Sequence, residues 1–292
     1  MRNERTPCTL GGLSYSGRMS ETGALDAERL SAALSGRYAA IQVVASTGST
    51  NADLREAAAK GAPDRTVLIA EEQTAGVGRR ARQWSSPKGS GLYVSVLLRP
   101  DGVPFSSLGS LSVVAGLAVR EVAARVGVDA VLKWPNDVLA GPGRAKCAGI
   151  LAEAAAGDET TVVLGIGLNV LPLGENVPAG PGGLPATSLA EQGATETDRA
   201  EIATRLLAGF DELERRWRLA VGSLTEAGLL GDYRRHCATL GQDVEVQLPD
   251  GSALTGRAAD IDPAGQLQVD VPGGERYTVF AGDVVHVRPA GA

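Results

Sequence analysis

Histidine and cysteine are almost missing from this 292-residue sequence, which has only His236, His286, Cys8, Cys147 and Cys237. A sparse, odd cysteine set gives no disulfide framework and points to a reducing compartment. No metal-ligating cluster is visible, and neighbours such as His236 and Cys237 do not face each other on a helix. Lysine is scarce too: Lys60, Lys88, Lys133 and Lys146 are the only four among 28 basic residues. Aromatics make up 4% of the chain, so packing must rest on small aliphatic side chains. There is no apolar leader and no run of about 18 apolar residues. A cytoplasmic protein without membrane contact is expected. The net charge of −6 excludes a broad basic surface for nucleic acid.

The hydrophobic fraction of 43% is enough for a sizeable core in one large domain plus a small one. Spaced leucines predict a short helix over Ala24–Ser35, and Ile41–Ala45 reads as a strand. Thr50–Gly61 reads as a helix capped by Thr50 or Asn51. Thr66–Glu72 and Gly91–Leu98 read as strands, and Phe105–Val126 as one long helix with an apolar stripe. Val131–Trp134 is a short strand followed by a turn at Pro135-Asn136-Asp137. Ala148–Ala155 and Thr161–Val170 read as neighbouring strands joined at Gly157-Asp158. Leu171–Pro185 is loop, Asp198–Ala220 an amphipathic helix, and Val221–Cys237 a second helical stretch. From Leu240 the pattern changes to five short strands separated by Pro/Gly turns, a small β-barrel module. Eight acids against three arginines in that module make it unsuited to nucleic acid. Without regular βαβ repetition, the first domain is expected to be α+β, a mixed or antiparallel sheet with helices on one face.

Three segments carry candidate chemistry. Gln73–Trp84 holds Gly76 and Gly78, which allow close backbone approach to a ligand, and Arg79, Arg80 and Arg82, forked donors for phosphate or carboxylate. Trp84 offers a stacking face. Gly76-x-Gly78-x-x-Ala81 satisfies the loose dinucleotide fingerprint, but nothing after it reads as a long helix and no acid follows at the required distance. The plainer alternative is an exposed basic loop. Lys133-Trp134-Pro135-Asn136-Asp137 combines a point cation, an amide and a carboxylate; alone it could be a solvated turn around a core tryptophan. Lys146 opens a strand, and Gly165 and Gly167 lie in the next, where glycine often marks a ligand against the backbone. A surface lysine and a bent strand are the bland reading there. Cys147 is expected in the core, on the opposite side of its strand from Lys146.

Together with Ser49-Thr50-Asn51, Lys146-x-Ala148-Gly149-Ile150-Leu151, Gly165–Asn169 and Ala186-Thr187-Ser188-Leu189, these segments resemble the bacterial biotin protein ligases in order and spacing. The resemblance covers Ile41 to Cys237, and the C-terminal module resembles that family's SH3-like domain. It implies a class II synthetase-like ligase domain over 41–238, an SH3-like domain over 239–292 and an N-terminal extension over 1–40. It also implies biotin, ATP and Mg²⁺, biotinyl-5′-AMP as intermediate, and the lysine of a biotin carboxyl carrier domain as acceptor.

By the same resemblance, Ser49, Thr50, Asn51 and Gln73 line the biotin pocket. The Gly76-Val77-Gly78-Arg79 backbone and Lys146 contact biotin and the acyl phosphate, Gly165 and Gly167 close the pocket, and Trp84, Asn136 and Asn169 lie near the nucleotide. Arg79 and Lys146 are the main catalytic cations, with Arg82 and Lys133 supporting them. Asp137 orients the incoming lysine or a metal, a choice the sequence leaves open, and the metal ligands stay unassigned. Val77 stands where the family loop has its first arginine, so leakier adenylate retention is expected; Ala81 stands where it has its last glycine, so a restricted loop is expected. Met1–Ala40 is too short for a winged helix, so a ligase without operator binding is expected, and pairing into a homodimer is left open. The rival readings are a lipoate or octanoate protein ligase and a non-catalytic biotin-binding module.

Overall fold

A computed structural model describes residues 25–286 apart from 85–86, 156–159, 175–176, 180–182, 249 and 281–282. The polar start over residues 1–20 and the Gly157-Asp158 turn lie outside the described residues.

Helix α1 (Ala27–Ala33) starts where the Asp26 side chain accepts from the backbone N–H of Glu28 and Arg29. Strand β1 (Ala40–Val44), helix α2 (Thr50–Ala59) and strand β2 (Thr66–Ala70) follow, with β1 parallel to β2. Ser49, not Thr50 or Asn51, caps α2: its hydroxyl accepts from Ala52 N, and its backbone is still extended. The remaining strands of the sheet are β3 (Gly91–Leu98), β4 (Ala130–Lys133), β5 (Asp137–Ala140), β6 (Ala145–Ala155) and β7 (Thr161–Asn169). The sheet order is β1-β2-β3-β7-β6-β5-β4, antiparallel after the first pair, so it is mixed as expected. Strand β5 is not among the strands expected, and its first residue, Asp137, falls in the expected turn; four residues buried throughout are too few to show a period.

Strand alternation splits the core in two. Val67, Ile69, Val94 and Val96 face α1, α3 (Leu111–Arg125) and α4 (Arg199–Leu219). Leu68, Leu97 and Val163 face α2, where they bury Leu54 and Ala57. Helices therefore cover both faces rather than one. By length and composition Phe105–Arg125 could cross a bilayer, but it is mostly buried inside the fold. It is also not one helix: Phe105–Ser110 is a 3₁₀ turn before α3. There Ser110 Oγ bonds the carbonyl of Ser107 and accepts from buried Trp217 Nε1 at 2.7 Å. The stretch after α4 is helical only at α5 (Leu230–His236), because Val221, Gly222 and Gly228 adopt positive φ.

The C-terminal module comprises β8 (Asp243–Gln247), β9 (Ala253–Ile261), β10 (Leu267–Asp270), β11 (Arg276–Val279) and β12 (Asp283–His286). They form an antiparallel sheet in the order β11-β10-β9-β8-β12, matching the five strands expected. The module is bonded to the first domain: Ala238 N donates to Leu132 O, Trp134 N to Thr239 Oγ1, and Trp134 Nε1 to Gly265 O at 2.9 Å. Trp134 is thus a buried pin between the domains.

Candidate functional site

The open side of the sheet below α2 forms a cavity of about 510 Å³. Its floor is made of glycine. Gly149 and Gly167 are cross-strand partners, and Gly165 pairs Ser95 and Leu151. A Cβ on Gly165 would lie 2.4 Å from Asn51 Oδ1, and one on Gly167 2.6 Å from the Trp84 ring. These glycines therefore let two side chains approach the backbone.

One end of the cavity is the N-terminus of α2. Thr50 N donates to Gln73 Oε1 at 2.9 Å, and Thr50 Oγ1 lies 3.1 Å from the same oxygen. Asn51 Nδ2 donates to Leu151 O and to Glu153 Oε2. Behind both, on β3, is Ser95, fully buried with its hydroxyl within 2.7 Å of Thr50 Oγ1 and 2.6 Å of Asn51 Oδ1. Ser95, Glu153 and pocket-lining Tyr93 were not singled out from sequence. A lone serine in an apolar strand was the only signal. Burial, first of all, raises the Tyr93 phenol above its ordinary range, partly offset by its bond to Ser90.

The other end is cationic. Lys146 Nζ is 2.6 Å from Asp137 Oδ1 and 5.3 Å from the Trp84 ring centre, close enough for a cation–π contact. Arg79, Arg82 and Lys133 line the same cavity. Lys133 Nζ also donates to Val284 O on β12, and Val284 itself borders the cavity. Asn136 Nδ2 donates to Ile150 O, and buried Asn169 Nδ2 to Thr187 O. Asp137 is thus tied to Lys146 rather than presented alone. Cys147 is fully buried, with its thiol pushed up to about 12 chiefly by burial; it belongs to the core, as expected.

The Gly76–Trp84 loop closes on itself. Gly78 N donates to Arg82 O, and Trp84 N to Gly76 O. Gly76 is not on the cavity wall; it braces Trp84 from behind. Arg79–Ala81 make a single 3₁₀ turn, so the loop opens no helix and the dinucleotide reading fails. Arg80 and Ala81 both adopt φ of 54°, where a side chain is disfavoured. Arg80 points out to the C-terminal module, donating to Gln247 O and Leu248 O. Trp84 Nε1 is buried with no hydrogen-bond partner among the described residues.

Of the residues singled out from sequence, Ser49, Thr50, Asn51, Gln73, Val77, Gly78, Arg79, Arg82, Trp84, Lys133, Asn136, Asp137, Lys146, Gly165, Gly167 and Asn169 all border this one cavity. Gly76 stands behind it, and Arg80 turns away from it to the C-terminal module.

Residues 42–169 match the profile described as the biotin/lipoate A/B protein ligase family, and residues 239–287 that of the biotin protein ligase C-terminal domain. The chain is 47% identical to a biotin–[acetyl-CoA-carboxylase] ligase of Mycobacterium tuberculosis, over 85% of this chain and 89% of the relative. It is 31% identical to a bifunctional ligase/repressor of Bacillus subtilis, over 81% and 70%. Among solved structures, the biotin protein ligase of Aquifex aeolicus in complex with biotin and ATP superposes with a TM-score of 0.69 at 26% identity, covering 86% of this chain and 100% of that one. With both profiles in the expected order and this identity across nearly the whole chain, the protein belongs to the biotin protein ligase family.

Proposed function

We propose that the protein joins biotin to ATP as biotinyl-5′-AMP and passes the biotinyl group to a lysine of a biotin carboxyl carrier domain. The observation that carries this reading is the meeting, in one cavity, of Lys146, Arg79, Arg82 and Lys133 with a glycine floor and the polar end of α2. In the first step a biotin carboxylate oxygen attacks the α-phosphorus, and the bond to pyrophosphate breaks. Both reactants are anions, so their approach needs cations, and fixed donors act most strongly on the charge that builds on the phosphoryl oxygens. In the second step the carrier lysine amine attacks the acyl carbon, AMP leaves and the new amide nitrogen loses a proton.

Ser49, Thr50, Asn51 and Gln73 receive the biotin head, and Gly165 and Gly167 leave room beside it. The Val77–Arg79 backbone and Lys146 hold the reacting carboxylate, with Arg82 and Lys133 adding positive potential. Trp84, Asn136 and Asn169 flank the nucleotide, and a ligand oxygen is the fitting partner for Trp84 Nε1. Asp137 fixes the Lys146 rotamer through their ion pair. No three His, Cys, Asp or Glu side chains gather into a metal cluster among the described residues. Magnesium, when bound, would offset the charge of the triphosphate oxygens.

The proposed units are a catalytic domain over 41–238 and a C-terminal domain over 239–292 that walls one side of the cavity through Val284. The buried free thiols of Cys147 and Cys237 agree with work in the cytoplasm. The test is biotin-dependent exchange of labelled pyrophosphate into ATP, then transfer of biotin to a carrier domain. Exchange driven by lipoate or octanoate instead would favour the rival acyl ligase reading. Tight biotin binding without exchange would leave only a binding module.

A further inference from the structure

The Gly76–Trp84 loop presents its arginines in two directions. Arg79 and Arg82 line the cavity. Arg80 between them turns outward, and one of its terminal nitrogens donates to Gln247 O at 2.9 Å and to Leu248 O at 3.0 Å. Both carbonyls lie where β8 gives way to the turn into β9. The outward turn is conformationally unfavourable: Arg80 and Ala81 both sit at φ of 54°, and residues with a Cβ stay there only where their surroundings fix them. Strand β8 pairs with β12, with Gln247 opposite Asp283 and Val246 opposite Val284. The Val284 carbonyl accepts from Lys133 Nζ at 2.8 Å, and both residues border the cavity. One two-stranded ribbon thus receives the loop through Arg80 and the Lys133–Asp137 segment through Lys133. The ribbon is itself anchored: on neighbouring β9, Asp260 pairs with Arg234 of α5 at 2.7 Å through both carboxylate oxygens, and the next turn holds Trp134.

We propose that Arg80 is a positioning residue that latches the loop to the β8–β12 ribbon, so that Arg79 and Arg82 stay at the cavity and an acyl adenylate made there leaves slowly. The inference rests on the adenylation reading and deepens it. A guanidinium that donates to two carbonyls makes charge-assisted hydrogen bonds, which stabilise the seated loop relative to a lifted one. A ligand that binds only the seated loop is held more tightly by the same factor. The contact is exposed, so water competes for the same groups and the gain is modest. Arg80 touches no reacting atom. Its loss should therefore change affinity and release, and leave the chemical step of the seated complex alone.

The experiment loads the full chain with labelled biotinyl-AMP and follows its release into an excess of unlabelled biotinyl-AMP. Wild type, Arg80→Ala, Arg80→Gly and Arg80→Lys are compared, and pyrophosphate exchange is measured alongside. Arg80→Ala and Arg80→Gly should release the adenylate about 5- to 10-fold faster. KM for ATP should rise by a similar factor, with exchange at saturating substrates within about threefold of the wild type. Arg80→Lys keeps a cation that can reach one carbonyl, so its release should stay within about threefold of the wild type. Release within about twofold of the wild type in Arg80→Ala overturns the proposal. So does wild-type release in Arg80→Gly, which relieves the positive φ while deleting the side chain: the backbone turn, not the latch, would then be what matters. A merely structural Arg80 would lower the exchange rate and leave KM and release unmoved, and that result also overturns it. If Arg80→Ala does not fold, Arg80→Gly decides by the same release rate. A wild type that forms no adenylate sinks the proposed function and this inference together, whereas one that forms it, with release unchanged in both variants, sinks this inference alone.

Discussion

Lys146 is held from two sides, by Asp137 at 2.6 Å and by the face of Trp84. Held in this way, its charge is in place before the anions arrive, which is the condition for transition-state stabilisation without reorganisation. Lys146→Ala is expected to slow adenylate formation by about 100-fold or more, read by single-turnover formation of biotinyl-AMP; a rate within twofold of the wild type would contradict the proposed role. Gly165→Ala tests the floor. Its Cβ would lie 2.4 Å from Asn51 Oδ1, so Asn51 must move. KM for biotin should rise by up to about 100-fold, and a titration showing wild-type affinity would show that the wall can give way.

Val77 and Ala81 stand where the resemblance to the family leads one to expect an arginine and a glycine. Ala81 does sit at positive φ, where a Cβ costs about 1 kcal/mol relative to glycine. Val77→Arg and Ala81→Gly should each slow release of biotinyl-AMP and reduce stray biotinylation of a bystander protein. Equal leakage in both variants and the wild type would remove the idea.

Among the elements, the Lys133–Asp137 segment does more than its composition announced. Lys133 donates to β12, Trp134 to the β9–β10 turn, Asn136 to β6, and Asp137 holds Lys146. One short segment thus fastens the C-terminal module to the cavity floor. Trp134→Phe removes the indole donor and leaves Gly265 O unsatisfied. A loss of about 1–3 kcal/mol is expected, measured by urea unfolding followed at the C-terminal sheet. Strands such as Gly91–Leu98 were legible because the period is plain. Strand β5, the 3₁₀ start of α3 and the break after Ala220 were not. Each depends on burial or on a contact to a distant residue, as with Ser110 and Trp217, that no local pattern records.

At the scale of the whole molecule, an ionic cluster far from the cavity joins α4 to the strand end at Arg65. Arg65 bonds both Asp211 and Glu214, Arg37 and Arg215 bond Asp211, and Arg218 bonds Glu214 and Asp64. Burial alone would raise the Asp211 carboxyl, but its bonds to Arg215, Arg37 and Arg65 outweigh that and hold it below the usual carboxylate range. A depressed folded value contributes stability above the unfolded pKa and loses it as pH falls through the folded value. Thermal stability should therefore drop below about pH 4. Asp211→Ala, which removes one of the two carboxylate partners of Arg65, should cost about 1–3 kcal/mol at neutral pH and flatten the acid limb of the profile. An unchanged acid limb would rule the cluster out as its cause.

By itself, the order of residues determined the mixed sheet, the five-stranded C-terminal module, the glycines of the floor and most of the polar side chains on the cavity wall. These follow from local period, from turn chemistry and from residue types needed at fixed spacing. Only the tertiary structure decided which partners those groups take: Asp137 with Lys146, Lys133 with β12, Arg80 with the C-terminal carbonyls, and Ser95 behind Thr50 and Asn51. The physical reason is that a hydrogen bond or an ion pair is settled by tenths of an ångström between residues up to 174 positions apart. Sequence spacing carries no such distance until the sheet has closed.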